Sequence, residues 1–454
     1  MVMKSTNPAT GALLERFEEM TEEETLAAVE QAATAQLAWR DVPLAERSAH
    51  LNVVARVLRK NAERLARTAT LEMGKPIREA LIEVEKCALV CEHYAEQAKT
   101  YLAPEPAQND ASKSYVAFRP LGCVLLVMPW NYPFWQVFRQ AAPGLMAGNA
   151  VLLKHASNVS RCALHIEEIL CTAGLPEGVF RTLLIGSRQV APVLEHQAVR
   201  AVSLTGSDTA GRAVAAKAGS LLKKCVIELG GSDPFIVLED ADLDRAAEVA
   251  TISRCLNSGQ ACIAAKRFIV VEAVHDAFLS RFTARMAALK MGDPLDPATQ
   301  IGPLAHHDFK LELHGQITDS LAAGATIALG ADPEPGDGAF YPPTILTGVR
   351  PGMRAYHEEL FGPVASVIAV RDEEEAVRVA NDTRFGLGGS VWTRDAARGE
   401  RVATRIEAGC VFVNGLVKSD PRLPFGGIKD SGFGRELSHY GMRELTNIQS
   451  VWIA

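Results

Sequence analysis

The stretch Gly122-Cys-Val-Leu-Leu-Val-Met-Pro-Trp-Asn-Tyr-Pro133 (GCVLLVMPWNYP) begins as a short apolar run and ends in a turn bounded by two prolines. Such a run is typical of a strand that is buried on both faces of a parallel sheet. Strands of this kind recur along the chain and alternate with helical stretches, which implies crossover connections. The predicted strands of this first series are residues 123–127, 150–153, 179–183, 201–204 and 224–228.

A second series of strands and helices begins near Pro234. Because 454 residues exceed what one core of ordinary size accommodates, we predict two α/β domains. The first hundred residues are mostly helical, with a capping box at Thr21 and Glu24 and a long helix over 44–72. Residues 101–119 break this pattern and then alternate, which indicates a strand excursion. The strands predicted for the second series are residues 235–238, 267–271, 365–370 and 388–392.

Composition narrows the class of ligand. A net charge of −7 and a pI near 5.9 give no electrostatic reason to expect nucleic acid or an anionic membrane as partner. No apolar run reaches membrane-spanning length. The nine cysteines are an odd number and scattered, which favours reduced thiols in a cytoplasmic protein. Neither C-x-x-C nor H-E-x-x-H occurs, so we expect no metal. Because the charge does not favour nucleic acid or a membrane, we predict small-molecule ligands.

Three turns that follow predicted strands are candidate sites. Ser203-Leu-Thr-Gly-Ser-Asp-Thr-Ala-Gly211 opens a helix whose free N–H groups suit a phosphate, although an ordinary turn explains it equally well. The usual G-x-G-x-x-G fingerprint is absent. Glu228, at the start of Glu228-Leu-Gly-Gly231, is a general base or a solvated strand-end acid. Asn131 is an oxyanion donor or a plain turn asparagine.

Cys262 lies in Asn257-Ser-Gly-Gln-Ala-Cys-Ile-Ala-Ala-Lys-Arg267, among small and flexible residues that a cysteine filling a core would not need. A nucleophilic thiol requires a lowered pKa or a nearby base. Eight other cysteines show that thiols are common in this chain. Taken alone, the stretch leaves both a packing role and a catalytic role open.

Six segments, taken together and in order, resemble the motif series of the NAD(P)-dependent aldehyde dehydrogenases. They are Pro129-Trp130-Asn131, Thr205-Gly206-Ser207, Glu228-Leu229-Gly230-Gly231, Gly259-Gln260-Ala261-Cys262, Glu358-Glu359-Leu360-Phe361-Gly362-Pro363 and Pro424-Phe425-Gly426-Gly427-Ile428-Lys429. The match runs from about Asn7 to the C-terminus. The chain looks most like the short bacterial succinate-semialdehyde dehydrogenases. Three runs carry that narrower likeness: Trp135-Gln-Val-Phe-Arg139, Lys154-His155-Ala156 and Ala264-Ala-Lys-Arg-Phe268.

The resemblance implies a catalytic cycle for the candidate residues. Cys262 attacks the aldehyde carbon, and the Asn131 amide with the Cys262 backbone N–H holds the oxyanion. Hydride transfer to the nicotinamide leaves a thioester. Glu228 activates the water that hydrolyses this thioester. On this interpretation Cys262 is a nucleophile.

The resemblance also implies where NADP or NAD binds. Lys154 contacts the adenine ribose, Ser207 the pyrophosphate, and Glu359 the nicotinamide ribose. Ser157 stands where many NAD-dependent members carry a glutamate that repels a 2′-phosphate, so NADP becomes acceptable while NAD is not excluded. The other residues expected at the cofactor are Pro129, Trp130, Gly206, Gly211, Leu229 and Phe361.

Substrate selection is expected to depend on Arg139, which matches an arginine that binds the distal carboxylate in succinate-semialdehyde enzymes. An arginine held in a helix salt bridge is the alternative. Some of those enzymes have a second arginine that binds the carboxylate, and Leu256 occupies its position here. Ser419 is one residue that could compensate for this loss. Trp135 and Phe425 are expected to line the aldehyde tunnel.

The predicted architecture is therefore an aldehyde dehydrogenase fold of class α/β. A Rossmann-like NAD(P)-binding domain spans 1–97 and 121–230, and an α/β catalytic domain spans 231–445. A β oligomerisation arm, 98–120 with 446–454, implies a homodimer or homotetramer. The rival interpretations are a CoA-acylating relative, which generally lacks the acid at Glu228, a cofactor-free cysteine hydrolase, and a catalytically silent binding protein.

Overall fold

The structure is a computed structural model that describes residues 2–333, 336 and 338–454. Met1, Glu334, Pro335 and Asp337 fall within the predicted domain spans and lie outside the described residues. The described chain is mixed α/β, as the sequence predicts, and contains three larger sheets and one two-stranded hairpin.

The N-terminal part is a hairpin followed by helices. Its capping box is confirmed, because Glu24 N donates to Thr21 Oγ1 at 3.1 Å and Thr21 N donates to Glu24 Oε2 at 2.8 Å. The predicted helix over 44–72 is two helices, because the Asn61 side chain donates to the Val57 carbonyl and ends the first of them. The elements are β1 (Val2–Thr6), β2 (Leu13–Glu18), α1 (Glu22–Trp39), α2 (Leu44–Lys60), α3 (Ala62–Met73), α4 (Ile77–Tyr101), β3 (Glu105–Pro106) and β4 (Lys113–Pro120).

The middle of the chain alternates strands and helices. All five strands predicted here are present, with ends that differ from the prediction by two residues at most. The elements are β5 (Cys123–Met128), α5 (Trp135–Met146), β6 (Ala150–His155), α6 (Ser160–Thr172), β7 (Phe180–Thr182), α7 (Val190–Glu195), β8 (Val199–Thr205), α8 (Asp208–Ser220) and β9 (Lys224–Glu228).

The second series contains the four strands that were predicted and several that were not. The missed strands β12, β13 and β16 have only four residues each, too few for their hydrophobic pattern to be read. The elements are β10 (Pro234–Val237), α9 (Leu243–Cys255), β11 (Arg267–Val271), α10 (Glu272–Ala287), α11 (His307–Ala322), β12 (Thr326–Leu329), β13 (Thr344–Thr347), α12 (Arg354–His357), β14 (Val364–Val370), α13 (Glu373–Asn381), β15 (Gly388–Trp392), α14 (Ala396–Ala403), β16 (Cys410–Val413), β17 (Gly432–Phe433), α15 (Ser438–Glu444) and β18 (Thr446–Ile453).

Two parallel sheets form the body of the protein. The first has the order β17-β9-β8-β5-β6-β7, with only β17 antiparallel, and the second has the order β12-β13-β14-β11-β10-β15-β16, with only β12 antiparallel. The carboxyl ends of β5, β8 and β9 are adjacent, with Thr205 opposite Glu228. The three candidate turns therefore meet at one edge of the first sheet, where α/β proteins bind ligands.

The third sheet has the order β18-β4-β3. Strand β18 pairs antiparallel with β4 along its whole length, from Thr446 opposite Pro120 to Ile453 opposite Lys113. Strand β17, which lies inside the predicted 231–445 domain, pairs instead with β9 of the first sheet. The division of the chain into domains stays a prediction.

Glu83 of α4 forms a buried ion pair and also binds the start of α5. Lys75 and Glu83 are both buried and form this pair with each other. The other oxygen of Glu83 accepts from the backbone N–H groups of Phe134 and Trp135, at 2.8 and 2.9 Å. Helix N-termini leave such N–H groups without partners and favour a negative charge beside them. Glu83 thus determines where the polypeptide segment that carries Asn131 enters α5.

Loss of this pair should destabilise the fold. Lys75→Met leaves the Glu83 carboxylate buried without its cation, so we expect the free energy of unfolding to fall by about 3–5 kcal/mol. Urea denaturation followed by circular dichroism measures it. Arg281→Met is the control, because its partner Asp244 is exposed and the pair should contribute little. Equal midpoints for the two variants would contradict the role given to the buried pair.

Candidate active site

The loop before Cys262 has an unusual backbone. After α9 the chain passes through Asn257, Ser258 and Gly259, whose φ angles of 55°, 56° and 78° all lie in the left-handed region. Non-glycine residues adopt that conformation at a cost, and it persists only where the surroundings enforce it. Gly259 is required, because a Cβ there would lie 2.2 Å from the carbonyl carbon of Gly362.

Hydrogen bonds hold this loop from two sides. The N–H of Asn257 donates to Glu79 Oε2 on α4 at 2.6 Å. Its side-chain amide donates to the carbonyls of Asn131, at 2.7 Å, and Gln260, at 3.0 Å. Burial raises the pKa of Glu79 to about 7, while the Asn257 N–H lowers it. The positive-φ turn is therefore fixed to both α4 and the Asn131 turn.

Asn131 lies beside the segment that carries the thiol. Its Nδ2 donates to the Gln260 carbonyl at 3.1 Å, two residues before Cys262, and the side chain is buried. A carboxamide nitrogen carries two hydrogens, so one N–H remains for another acceptor. The prolines Pro129 and Pro133 flank this turn. The structure brings together the two residues that the sequence assigns to oxyanion binding.

Burial raises the pKa of the Cys262 thiol well above its ordinary value, and the charge of Glu228 raises it further. Arg139 and Lys266 oppose both effects. Lys266 Nζ donates to the Cys262 carbonyl at 2.7 Å and pairs with Glu359 at 3.0 Å. A thiol in this setting is protonated at neutral pH, so a neighbouring base must accept its proton.

Glu228 is placed to be that base. It ends β9, is buried, and lines the same cavity as Cys262, close enough that the charge of Glu228 acts on the thiol. Burial raises the pKa of Glu228 to about 7, although Arg139 lowers it. Its Oε2 accepts from Arg139 Nη2 at 3.0 Å, while Oε1 is buried without a hydrogen-bond partner among the described residues. A carboxylate titrating near neutrality can both accept and release a proton.

Arg139 forms ion pairs in the structure, and its contact with a substrate carboxylate stays a prediction. Its side chain is 2% exposed, with Nη2 at 3.0 Å from Glu228 and Nε at 2.6 Å from Glu436. Nη2 also donates to Thr205 Oγ1, and the guanidinium lies over the Phe425 ring. Two carboxylates therefore balance the charge of this guanidinium. The alternative interpretation, an arginine held by ion pairs, describes its position.

The other predicted substrate residues, Trp135, Ser419 and Phe425, contact one another or Arg139. Trp135 Nε1 donates to Ser419 Oγ at 3.1 Å, and both residues are buried. Phe425 contacts Arg139. Arg139 lies on α5, one turn after Trp135. Sequence reasoning missed Glu436 and Lys266. Lys266 lies inside a quoted run and Glu436 seven positions after one, but a charged residue at such a place is common on any surface.

A cavity of about 600 Å³ lies between the first sheet and α11, and Cys262 is part of its wall. Two expected cofactor residues lie outside it: Ser157 is exposed beside the lining residue Ala156, and Gly211 packs against Leu229 within α8. The predicted residues that line it are Pro129, Trp130, Asn131, Lys154, Gly206, Ser207, Glu228, Leu229, Glu359, Phe361 and Cys262.

The cavity fits a dinucleotide. Helix α8 begins at its wall with Ser207 as N-cap, so the first N–H groups of that helix can bind a phosphate. At the inner end Glu359 offers a carboxylate for hydroxyl groups, held by the Gly231 N–H at 3.1 Å. Gly230 is required there, since a Cβ would lie 2.1 Å from Glu359 Oε2. Groups suited to a phosphate and a carboxylate suited to hydroxyl groups thus line one cavity.

The described residues suggest no other kind of site. No helix in the part of the chain that the structure covers combines the length and apolar composition needed to cross a bilayer. Within residues 2–333, 336 and 338–454, no three His, Cys, Asp or Glu side chains converge as a metal site requires.

A thiol, a carboxylate base and an amide donor, placed at the inner end of a dinucleotide cavity, define an oxidoreductase that works through a cysteine adduct. The chain belongs to the aldehyde dehydrogenase family, whose model matches residues 1–451. The recognition of this family from six short motifs is confirmed, and so is the expected fold.

Several proteins that are similar to this chain over its full length are named succinate-semialdehyde dehydrogenases. The chain is 50% identical, over the full length of both proteins, to a probable succinate-semialdehyde dehydrogenase [NADP(+)] of Synechocystis. It is 48% identical, again over both full lengths, to succinate-semialdehyde dehydrogenase [NADP(+)] 1 of Mycobacterium tuberculosis. The crystal structure of succinic semialdehyde dehydrogenase from Streptococcus pyogenes with NADP+ superposes with a TM-score of 0.97, at 38% identity and 99% coverage of each chain.

Gly259 allows a direct test of the thiol loop. Gly259→Ala forces a Cβ into the Gly362 carbonyl group and disfavours the left-handed backbone, so the thiol should be displaced. We expect kcat to fall about 100-fold, as misplacement of a reacting group by about 1 Å does. The control is Gly219→Ala on α8, where a Cβ meets open space. Turnover of Gly259→Ala at the rate of this control would refute the proposed constraint.

Proposed function

We propose that the protein oxidises succinic semialdehyde to succinate, with NADP+ as the preferred oxidant and NAD+ as a usable one. The observation that carries this proposal is the convergence of Cys262, Glu228 and Asn131 at the inner end of the dinucleotide cavity. Full-length relatives named for this reaction support the substrate. Oxidation of another small or ω-carboxylated aldehyde is the alternative.

The first step forms the bond between sulfur and carbon. Glu228 accepts the thiol proton as the sulfur of Cys262 adds to the aldehyde carbon, and the carbonyl oxygen becomes an oxyanion. The free N–H of the Asn131 amide and the Cys262 backbone N–H donate to that oxyanion. Because Asn131 and Gln260 are already hydrogen-bonded, these donors are oriented before the substrate arrives.

The second step oxidises the adduct and releases the acid. A dinucleotide held by Lys154, Ser207 and Glu359 would supply the hydride acceptor for the carbon attached to Cys262, and loss of that hydride would leave a thioester. After Glu228 has released the thiol proton to solvent, its carboxylate takes a proton from a water molecule as the water oxygen adds to the thioester carbon. The C–S bond then breaks, the carboxylic acid leaves, and sulfur regains its proton. Arg139 keeps Glu228 ionisable near neutrality, because it lowers a pKa that burial raises.

The cofactor residues follow the same assignment. Lys154 and Ser157 would hold the adenine ribose and its 2′-phosphate, the α8 N-terminus with Gly206 and Ser207 the pyrophosphate, and Glu359 the nicotinamide ribose. Ser157 brings no negative charge to the rim of the cavity, which supports use of NADP+. A CoA-acylating reaction is disfavoured by the presence of Glu228 beside the thiol.

We further propose a homo-oligomer, a dimer or tetramer, located in the cytoplasm. Strand β18 pairs with β4 on one edge and exposes Ile448, Trp452 and Ile453, which suits pairing with another subunit. All nine cysteines are free, which suits a reducing compartment. The division into cofactor domain, catalytic domain and arm at 97, 120, 230 and 445 is part of the same proposal.

The substrate is tested by the rate of NADPH formation. We expect the wild type to prefer succinic semialdehyde to pentanal by at least about 10-fold in kcat/KM, and to accept NADP+ better than NAD+. Cys262→Ala should abolish turnover with every aldehyde. Turnover of Cys262→Ala would make the mechanism wrong, whereas a wild type indifferent to the carboxylate would make only the substrate wrong.

The role of Glu228 predicts a pH dependence. Its carboxylate is the active form and the pKa is about 7, so kcat should fall as pH decreases through 7. Glu228→Gln can neither accept the thiol proton nor activate water, so we expect both the first turnover that forms NADPH and the steady-state rate to fall. Stopped-flow absorbance distinguishes burst from steady state. Steady turnover by Glu228→Gln with an unchanged pH profile would remove Glu228 from the mechanism.

A further inference from the structure

Lys266 is buried beside the thiol and has no role in the mechanism described so far. It directly precedes β11, where its N–H donates to the Asp233 carbonyl at 3.1 Å and its carbonyl accepts from the Ser366 N–H at 2.9 Å. Its side chain is only 1% exposed. A lysine is rarely buried so completely unless its ammonium is paired. The partners of this ammonium therefore indicate what Lys266 does.

The ammonium of Lys266 has three partners. Its Nζ donates to the Ala261 carbonyl at 3.1 Å and to the Cys262 carbonyl at 2.7 Å, and it pairs with Glu359 Oε1 at 3.0 Å. Three acceptors match the three N–H groups of an ammonium. A lysine that only balanced the charge of Glu359 would need one of these contacts, and the shortest of the three is to the backbone of Cys262.

The carbonyls of four consecutive residues, 259–262, are each bound by a buried side-chain donor. Arg254 Nη2 donates to the first at 2.6 Å, Asn131 Nδ2 to the second at 3.1 Å, and Lys266 Nζ to the last two. No regular helix or strand covers this segment, so side chains determine how its peptide groups are oriented. Lys266 orients the peptide groups nearest the thiol.

The bond to the Ala261 carbonyl orients the oxyanion donor. Ala261 and Cys262 share one planar trans peptide, in which the carbonyl of the first and the N–H of the second point in opposite directions. Holding the carbonyl at the ammonium therefore directs the Cys262 N–H away from it. No acceptor among the described residues bonds that N–H, so it is available to an oxyanion. A cation at the carbonyl also polarises the peptide and strengthens its N–H as a donor.

The same ammonium orients the carboxylate assigned to the nicotinamide ribose. Glu359 Oε1 lies against Lys266 and accepts from the Gly231 N–H at 3.1 Å. Within the part of the chain that the structure describes, Oε2 accepts no hydrogen bond, and Glu359 lines the dinucleotide cavity. Oε2 is thus left for hydroxyl groups. One side chain contacts both the backbone of the nucleophile and the proposed ribose anchor.

We propose that Lys266 is a positioning residue, which aligns the Cys262 N–H for the oxyanion and holds Glu359 in place for the dinucleotide ribose. This inference rests on the proposed function and adds a residue to its mechanism. Because a single ammonium serves both groups, its loss should impair the oxyanion donor and the cofactor anchor together. Lys266 acts through the Cys262 peptide and through Glu359.

Two reagents separate the alignment of the N–H from the reactivity of the thiol. p-Nitrophenyl acetate acylates a thiol through an oxyanion and releases p-nitrophenolate, whereas iodoacetamide alkylates it with loss of iodide and forms no oxyanion. We expect Lys266→Met to slow acylation about 100-fold, the effect of losing one oxyanion donor. Alkylation should slow by less than about 10-fold, through a thiol pKa that burial raises and Lys266 lowers.

The control for both reagents is Lys290→Met. Lys290 is exposed and pairs with Asp296 at 2.8 Å, so this variant should react with each reagent at the rate of the wild type. Alkylation also reports whether Lys266→Met has kept its thiol in place.

The link to the ribose anchor is tested by the Kd for NADP+, measured by isothermal titration calorimetry without any aldehyde. We expect Lys266→Met to raise this Kd about 10-fold, because Glu359 loses the charged partner that holds it. Glu359→Gln should also raise it. The double variant should bind no more weakly than Glu359→Gln alone, since Lys266 acts on the cofactor through Glu359.

Three results would overturn the inference. Equal slowing of acylation and alkylation would show that Lys266 acts only on the thiol. Unchanged acylation would remove it from the oxyanion site. Additive losses of NADP+ affinity in the double variant would break the link to Glu359. A wild type that does not oxidise succinic semialdehyde would instead refute the proposed function, and the comparison of the two reagents would still hold, because neither needs that substrate or a dinucleotide.

Discussion

The site depends on two carboxylates, one buried and one partly buried, that accept hydrogen bonds from the backbone of other segments. Glu79 and Glu83 lie one turn apart on α4, so they share a face of that helix. Glu79 accepts from Asn257 in the thiol loop, and Glu83 accepts from the first N–H groups of α5. One helix therefore positions both the nucleophile and the oxyanion donor. Each acid satisfies N–H groups that would be costly to bury unpaired.

The charged side chains around the thiol form ion pairs with one another and are mostly shielded from solvent. Glu228 and Glu436 surround Arg139, while Lys266 lies between the Cys262 carbonyl and Glu359. Burial pushes the pKa of both acids upwards, and the arginine opposes it. Such an arrangement suits a group that must gain and lose a proton in each cycle.

The sequence predicts the parallel strands of both sheets well, because each is an apolar run buried on two faces, such as Cys123–Met128. It also predicts the residues that line the cavity, since strand-end turns meet at one edge. It predicts poorly what depends on contacts between distant segments. Glu436 reaches Arg139 from almost three hundred residues away, and no local pattern records that pairing. The short strands β12, β13 and β16 were missed because four residues carry no readable period.

The C-terminal part of the chain surrounds the catalytic base. Strand β17 pairs with β9, the Leu229 N–H donates to the Ser431 carbonyl, and Glu436 reaches Arg139. During synthesis on the ribosome, the residues up to Glu228 therefore emerge long before the segment that encloses them. A nascent chain can build the first sheet early and still leave its edge at β9 unpaired. Chains released before residue 436 would carry the nucleophile without the complete environment of its base, and would be inactive and prone to associate through that edge.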